Sequence, residues 1–227
     1  GNPLTLKIVS NTILELFSGK VSEFLKESTL VFGDIKELLR QQFERLSDLE
    51  KSILYWLSIE HEPISLSRLR NDLVLPSTHS ELLEALESLG RRALIERAPG
   101  EGSALFTLQP VVLEYVGLDL AERATGELQD LIRTQRVERL EVFRNHSLLR
   151  EEESAESSSS SDGIPLLEDV LNRLRRNIRN DHQMAEFLEI TLEILKGKFP
   201  LEVGYAADNV ENLLGSLRQE MGSYVRA

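Results

Sequence analysis

Two capping boxes mark where two helices begin in the middle of this chain. In Ser47 to Glu50 and in Thr78 to Glu81, the hydroxyl can accept a hydrogen bond from the glutamate amide, and the glutamate can reach back to the first amide. Apolar residues follow the boxes at helical spacing, namely Leu49, Ile53, Trp56 and Leu57 and then Leu82, Leu83, Leu86 and Leu89. We therefore predict two helices, each with one buried face.

Shorter apolar segments between and after these helices have the character of strands. Residues 64–66 follow a proline that ends the first helix and predict a short strand, and residues 67–73 predict a second helix. Residues 93–97 and 104–108 are separated by a turn with two glycines, which predicts a hairpin. The order helix, strand, helix, helix, hairpin is that of a winged helix.

Helical patterns flank this region on both sides, so the predicted fold class is mainly α. Asp34 begins a further capping pattern, which predicts that a helix starts there. Residues 126–150 fit either one amphipathic helix or two shorter ones. The predicted order is a helical unit at 1–46, a winged helix with a short β-hairpin at 47–125, a helical connector at 126–150, an acidic serine-rich linker at 151–164 and a helical segment at 165–227.

The charge of the chain narrows the classes of partner. Its formal net charge is −12, whereas proteins that bind nucleic acid strongly usually gather positive charge. The third predicted helix of the winged helix carries Glu81, Glu84 and Glu87 on its polar face, and these carboxylates would repel a phosphate backbone. No apolar run approaches the length of a membrane span. We expect a cytoplasmic protein that contacts neither nucleic acid nor membrane.

The sequence lacks the patterns expected of a catalytic or metal site. Gly19-Lys20 has neither the first glycine nor the final Ser or Thr of a phosphate-binding loop. There is no cysteine, and His61, His79, His146 and His182 show no metal-ligand spacing. No serine stands in a nucleophile motif. We expect no catalytic residue and no metal in this chain.

Several motifs resemble the NB-ARC family of STAND signalling ATPases. Residues 1–5, Gly-Asn-Pro-Leu-Thr, are similar to the G-L-P-L-A motif that opens the helical domain of that family, and residues 43–51 resemble its junction into the winged helix. Residues 82–96 resemble the corresponding segment of bacterial family members that carry repeats. Residues 204–214 resemble the segment that precedes the WD or pentapeptide repeats of those members. The resemblance covers most of the chain, and we expect an internal piece of a longer protein.

The resemblance implies which residues contact a nucleotide. In the family the motif proline packs on adenine, a role that falls to Pro3, with Gly1 and Leu4 beside it. Gln109 stands where the family often carries the histidine that touches the β-phosphate of ADP, and its amide can donate a hydrogen bond. The alternative for Gln109 is an exposed residue at a strand end. The following Pro110 cannot imitate the aspartate of the family motif.

The resemblance also implies what the parent protein does. It would be an ADP/ATP-operated switch with at most weak NTPase activity, in which this chain is the non-catalytic hinge and lid and binds no cofactor alone. Its partners would be the preceding nucleotide-binding domain, the following repeat domain and, on activation, further copies of itself. The alternatives are a winged-helix DNA-binding transcription regulator and a helical protein-interaction adaptor.

Overall fold

The computed structural model describes residues 28–74, 77–98, 104–134, 136–149, 165–178 and 180–224. Its α-helices are α1 (Ser28–Glu44), α2 (Asp48–Glu60), α3 (Leu66–Asp72), α4 (His79–Arg91), α5 (Pro110–Thr134), α6 (Glu141–Asn145), α7 (Pro165–Arg175), α8 (Asp181–Lys196), α9 (Pro200–Val203) and α10 (Ala206–Tyr224). Its strands are β1 (Ile64–Ser65), β2 (Ile95–Ala98) and β3 (Leu105–Leu108). The fold is mainly α, as predicted.

Both predicted capping boxes are confirmed, and they fix the starts of α2 and α4. The Ser47 hydroxyl accepts from the Glu50 amide at 3.2 Å, and the Ser47 amide donates to the Glu50 carboxylate at 2.7 Å. Thr78 and Glu81 repeat the arrangement at 3.2 and 2.8 Å. Each box satisfies amides that the first helical turn leaves without a partner.

The three strands form one antiparallel sheet in the order β1-β3-β2. The predicted hairpin is confirmed, with Ile95 opposite Leu108 and Arg97 opposite Phe106. Strand β1 pairs with the other edge of β3, where Ile64 lies opposite Phe106. The sheet thus joins the segment before α3 and α4 to the segment after them, so β1, α3, α4, β2 and β3 belong to one structural unit.

Helix α5 is the element on which both halves of the described chain pack. It is 25 residues long, or about 38 Å at 1.5 Å per residue. It contacts α1 and α2, which precede it in the sequence, and α6 and α7, which follow it. The helix runs without a break through residue 126, where the sequence suggested a connector, and the rest of 126–149 holds a 3₁₀ turn (Val137–Arg139) and α6.

Two details of the predicted helices are wrong. Residues before Asp34 already belong to helix α1 (Ser28–Glu44), because no proline precedes Asp34 and the single Gly33 weakens a helix without ending it. In α4 the buried face is Leu82, Ala85, Leu86 and Leu89, while Leu83 is 39% exposed. The spacing i, i+3, i+4, i+7 keeps Ala85 on the buried stripe and turns Leu83 away from it.

The packing of α4 predicts unequal costs for two leucine truncations. Leu86→Ala removes a side chain that is only 4% exposed, so we expect the free energy of unfolding to fall by about 2–5 kcal/mol. Leu83→Ala, on the exposed side of the same helix, should change it by less than about 1 kcal/mol. Urea denaturation of both variants measures the difference, and equal costs would show that α4 does not pack as described.

Candidate functional site

The candidate site is residues 140–149, a segment that includes α6, packs into the core through part of its side chains, and is called the joint segment. Its apolar side chains Leu140, Val142, Phe143 and Leu148 belong to the core. A helix of five residues cannot satisfy its own backbone, because the first four N–H groups and the last four C=O groups of an α-helix lack intrahelical partners. Side chains from α5 and α10 bond to this backbone, and a side chain from α2 pairs with His146.

Glu127 of α5 holds the start of the joint segment. Its two carboxylate oxygens accept the amides of Val142 at 2.7 Å and Phe143 at 3.3 Å. A carboxylate at a helix start also meets the positive end of the helix dipole. Burial nevertheless outweighs these favourable contacts and raises the pKa of Glu127 to about 7.

His146 ties the joint segment to α2. Its Nδ1 lies 3.3 Å from the Val142 carbonyl oxygen and its Nε2 lies 2.9 Å from the Ser52 hydroxyl, so the neutral ring donates through Nδ1 and accepts through Nε2. The ring stands edge-on to Tyr55, with centroids 5.3 Å apart, and 5.6 Å from Trp56. Burial lowers the pKa of His146 to about 4, because there is little water to solvate the imidazolium.

Asn209 of α10 makes the most complete set of contacts with the joint segment. Its Nδ2 donates to the carbonyl oxygens of Phe143 at 2.8 Å and His146 at 2.7 Å, and its Oδ1 accepts the Leu148 amide at 2.7 Å. The residue is 0% exposed. Both N–H donors and the carbonyl of one side chain therefore satisfy three backbone groups that α6 leaves open.

The residues just before α10 fit closely against the same segment. The Tyr205 amide donates to the Arg144 carbonyl at 3.0 Å, and the Tyr205 hydroxyl donates to the Asp72 carbonyl at 3.3 Å. The Tyr205 ring also stands 5.4 Å from Trp56. Gly204 has a φ of +49°, and a Cβ there would lie 2.2 Å from the Arg144 oxygen, so only glycine fits.

The joint segment thus connects α2, α5 and α10 through three polar side chains whose groups are all accounted for. The arrangement suits mechanical coupling, because Glu127 and Asn209 bind the backbone of the segment and His146 binds Ser52 of α2. Among the described residues, no set of three His, Cys, Asp or Glu side chains is placed to hold a metal ion. No helix in the described part of the chain is long and apolar enough to cross a membrane.

Of the residues assigned to a nucleotide by resemblance, Gly1, Pro3 and Leu4 lie outside the described residues. Gln109 lies between β3 and α5, where its carbonyl accepts the Leu113 amide at 2.8 Å. It is 9% exposed, so the alternative of an exposed strand-end residue is wrong, because the side chain folds back onto β2. There its Nε2 donates to the Glu96 carboxylate.

The sequence alone did not single out the residues that hold the joint segment. His146 was considered only as a metal ligand, and Glu127 and Asn209 resemble many other polar residues on amphipathic helices. Asn209 occupies a position between the apolar residues of α10, next to Val210, and a polar residue on a buried stripe is the one signal that could have identified it. The exposed face of α4 does carry Glu81, Glu84 and Glu87, as predicted.

Comparison with known proteins shows that the chain is similar to an uncharacterised WD repeat-containing protein of Nostoc sp., with 36% identity over an alignment of 253 positions that covers 99% of this chain. The chain spans only 20% of the length of that relative. No protein-family model matches the chain, and no solved structure matches it.

The buried His146 predicts a loss of stability in acid. Its pKa is about 4 when folded and 6.5 in the reference state, so the unfolded chain binds the proton first. The stability linked to His146 is present above pH 6.5 and is lost as the pH falls through about 4, by on the order of 3 kcal/mol. Urea denaturation from pH 7 to 4 should show that His146→Gln loses less stability than the unmodified chain.

The pH dependence of stability that is linked to Glu127 has the opposite sign to that of His146 and serves as the control. Its folded pKa of about 7 lies above the reference value of 4.5, so the stability linked to it is present below pH 4.5 and is lost as the pH rises through about 7. The advantage of the unmodified chain over Glu127→Gln should therefore shrink as the pH rises. Parallel pH profiles for both variants and the unmodified chain would contradict the burial of these two groups.

Proposed function

We propose that this chain is the helical and winged-helix part of a nucleotide-operated switch of the STAND type, which continues into WD repeats. The observation that carries the proposal is the similarity of nearly the whole chain to one fifth of a WD repeat-containing protein. In this proposal the chain lies beside the repeat array and passes changes between the repeats and another domain.

The element order supports the winged-helix part of the proposal. Helix α2, strand β1, helices α3 and α4 and the hairpin β2–β3 follow one another in the order of a winged helix, and β1 joins the hairpin through β3. The exposed face of α4 is acidic, and Arg91 at its end lies 3.7 Å from Glu87. Such a face disfavours a DNA backbone and favours a role in packing between domains.

Gln109 gives the proposal a possible nucleotide contact. Its Nε2 donates to Glu96 across the end of the hairpin. We propose that this pair is one state of the switch, and that the β-phosphate of ADP replaces Glu96 as the acceptor in the other. The Nε2 group of Gln109 can donate to the Glu96 carboxylate or to the β-phosphate, so the exchange requires no additional protein side chain. Gly1, Pro3 and Leu4 would hold the adenine side of the same nucleotide.

The physical basis of such a switch is differential binding. ADP and ATP favour different domain arrangements only to the extent that they bind them with different free energies. In this proposal ADP holds the winged helix against a nucleotide-binding domain, and exchange for ATP releases it and allows copies of the protein to assemble. The chain itself supplies the lid, and the parent protein has at most weak NTPase activity.

Nucleotide binding by the full-length protein that contains this chain tests the proposal. We expect calorimetry to show ADP binding that Pro3→Ala and Gln109→Ala each weaken by about tenfold, or about 1.4 kcal/mol. Pro63→Ala, which changes an exposed proline between α2 and β1, is the matched control and should bind ADP normally.

Two results would contradict the proposal and separate its alternatives. Salt-sensitive binding of duplex DNA without ADP binding would identify a transcription regulator, since salt sensitivity reports phosphate contacts. Absence of both activities, with Pro3 and Gln109 tolerant of substitution, would identify a helical adaptor.

A further inference from the structure

Helices α8 and α10 form a self-contained antiparallel pair, which we call the arm (residues 181–224, including α9). Among the described elements this pair has the most extensive helix packing. Leu188 and Leu195 of α8 and Leu213 and Leu217 of α10 are buried. Arg218 pairs with Glu189, and Lys196 lies 3.7 Å from Glu211 near the other end. The arm can keep its own structure while its attachment changes.

The arm is attached to the rest of the chain in two different ways. On one side α7 precedes it and is anchored to α5 by Leu167, Val170, Leu171 and Leu174, all almost completely buried. Arg175, the last residue of α7, pairs with Asp181 at 3.2 Å and with Glu220 at 2.7 Å. This side resembles a pivot, since an apolar anchor lies next to a short connection.

On the other side the attachment combines polar contacts with apolar packing of α10 on the joint segment. Asn209 binds Phe143, His146 and Leu148 of the joint segment, and Tyr205 binds Arg144. Lys198 adds an ion pair with Glu138 at 2.6 Å. Polar groups of this kind can be exchanged for water, whereas a purely apolar contact has no equivalent replacement.

We propose that the arm is a hinged element, that it pivots at the end of α7, where Arg175 pairs with Asp181 and Glu220, and that Asn209 is the latch that holds it on the joint segment. In the latched state the arm and the unit built around α2 move as one body. In the released state the arm moves independently while α7 stays on α5. This motion belongs to the chain itself and does not depend on nucleotide binding.

The geometry of Asn209 makes intermediate positions unfavourable. A small displacement would leave its amide and three backbone groups buried without partners, which is costlier than either full contact or full hydration. Val203, Ala206 and Val210 are buried beside it and favour the docked position. The arm therefore has two positions, latched at rest and released.

Distances between spin labels test the latch directly, and the absence of cysteine from the chain makes labelling specific. Glu84→Cys on α4 and Glu193→Cys on α8 place labels at exposed positions on the two bodies. We expect one narrow distance distribution in the otherwise unmodified chain. Asn209→Ala should raise the population at other distances by about tenfold.

Three controls distinguish release from general loss of structure. Asn212→Ala makes the same chemical change three residues further along α10, at a partly buried position, and should leave the distribution narrow. Labels at Glu186→Cys and Leu201→Cys, both exposed and both within the arm, should keep their distance in Asn209→Ala. Asn209→Asp removes both amide donors with little change in shape and repeats the test if the alanine variant does not fold.

The outcomes are decisive in either direction. A broadened α4–α8 distance with an unchanged distance within the arm supports a released arm. Unchanged α4–α8 distances in folded Asn209→Ala and Asn209→Asp would overturn the latch. Broadening of both distances together would also overturn it, because Asn209 would then support the whole fold instead of one attachment.

Discussion

Residues 140–149 contain a helix too short to satisfy its own backbone, and buried side chains pack the segment into the core; this constraint shapes the second half of the structure. Helix α6 has five residues, so side chains must take the place of the missing helical hydrogen bonds. Glu127 supplies the acceptors at its start, and Asn209 supplies two donors and an acceptor at its end. Without these two residues the core would contain unpaired backbone groups.

The same constraint explains why distant parts of the chain meet here. Glu127 belongs to α5 and Asn209 to α10, while His146 of the joint segment reaches Ser52 of α2. Each contact joins residues far apart in sequence, so the segment connects the sheet-containing unit, the long central helix and the arm. Burial raises the pKa of Glu127 and lowers that of His146, and in both cases the hydrogen bonds oppose the shift.

Sequence patterns predicted the first half of the fold better than the second. Capping boxes and the hairpin are local signals, so α2, α4, β2 and β3 could be placed from neighbouring residues alone. The uninterrupted length of α5 was not predicted, because residues 126–150 fitted either one amphipathic helix or two shorter ones. Asp34 was assigned to a helix start because a capping sequence inside a helix looks the same as one at its beginning.

The joint segment was beyond sequence reasoning for a different reason. The roles of Glu127, His146 and Asn209 depend on contacts between residues separated by many positions, and no local motif encodes such contacts. Gln109 was assigned by resemblance, and the structure adds that its amide is bonded to Glu96 within a hairpin end. The position of Gly204 is similarly explained only by the nearby Arg144 carbonyl.

Native-state hydrogen exchange of the unmodified chain tests the central claim that the joint segment is a separate, releasable attachment. Amides are followed in low denaturant, where partial openings are distinguished from complete unfolding. We predict that the amides of Leu148 and Tyr205 exchange together through an opening smaller than the one that exposes Ile53 and Leu86. Exchange of all four only through complete unfolding would contradict the claim, as would unprotected amides at Leu148 and Tyr205.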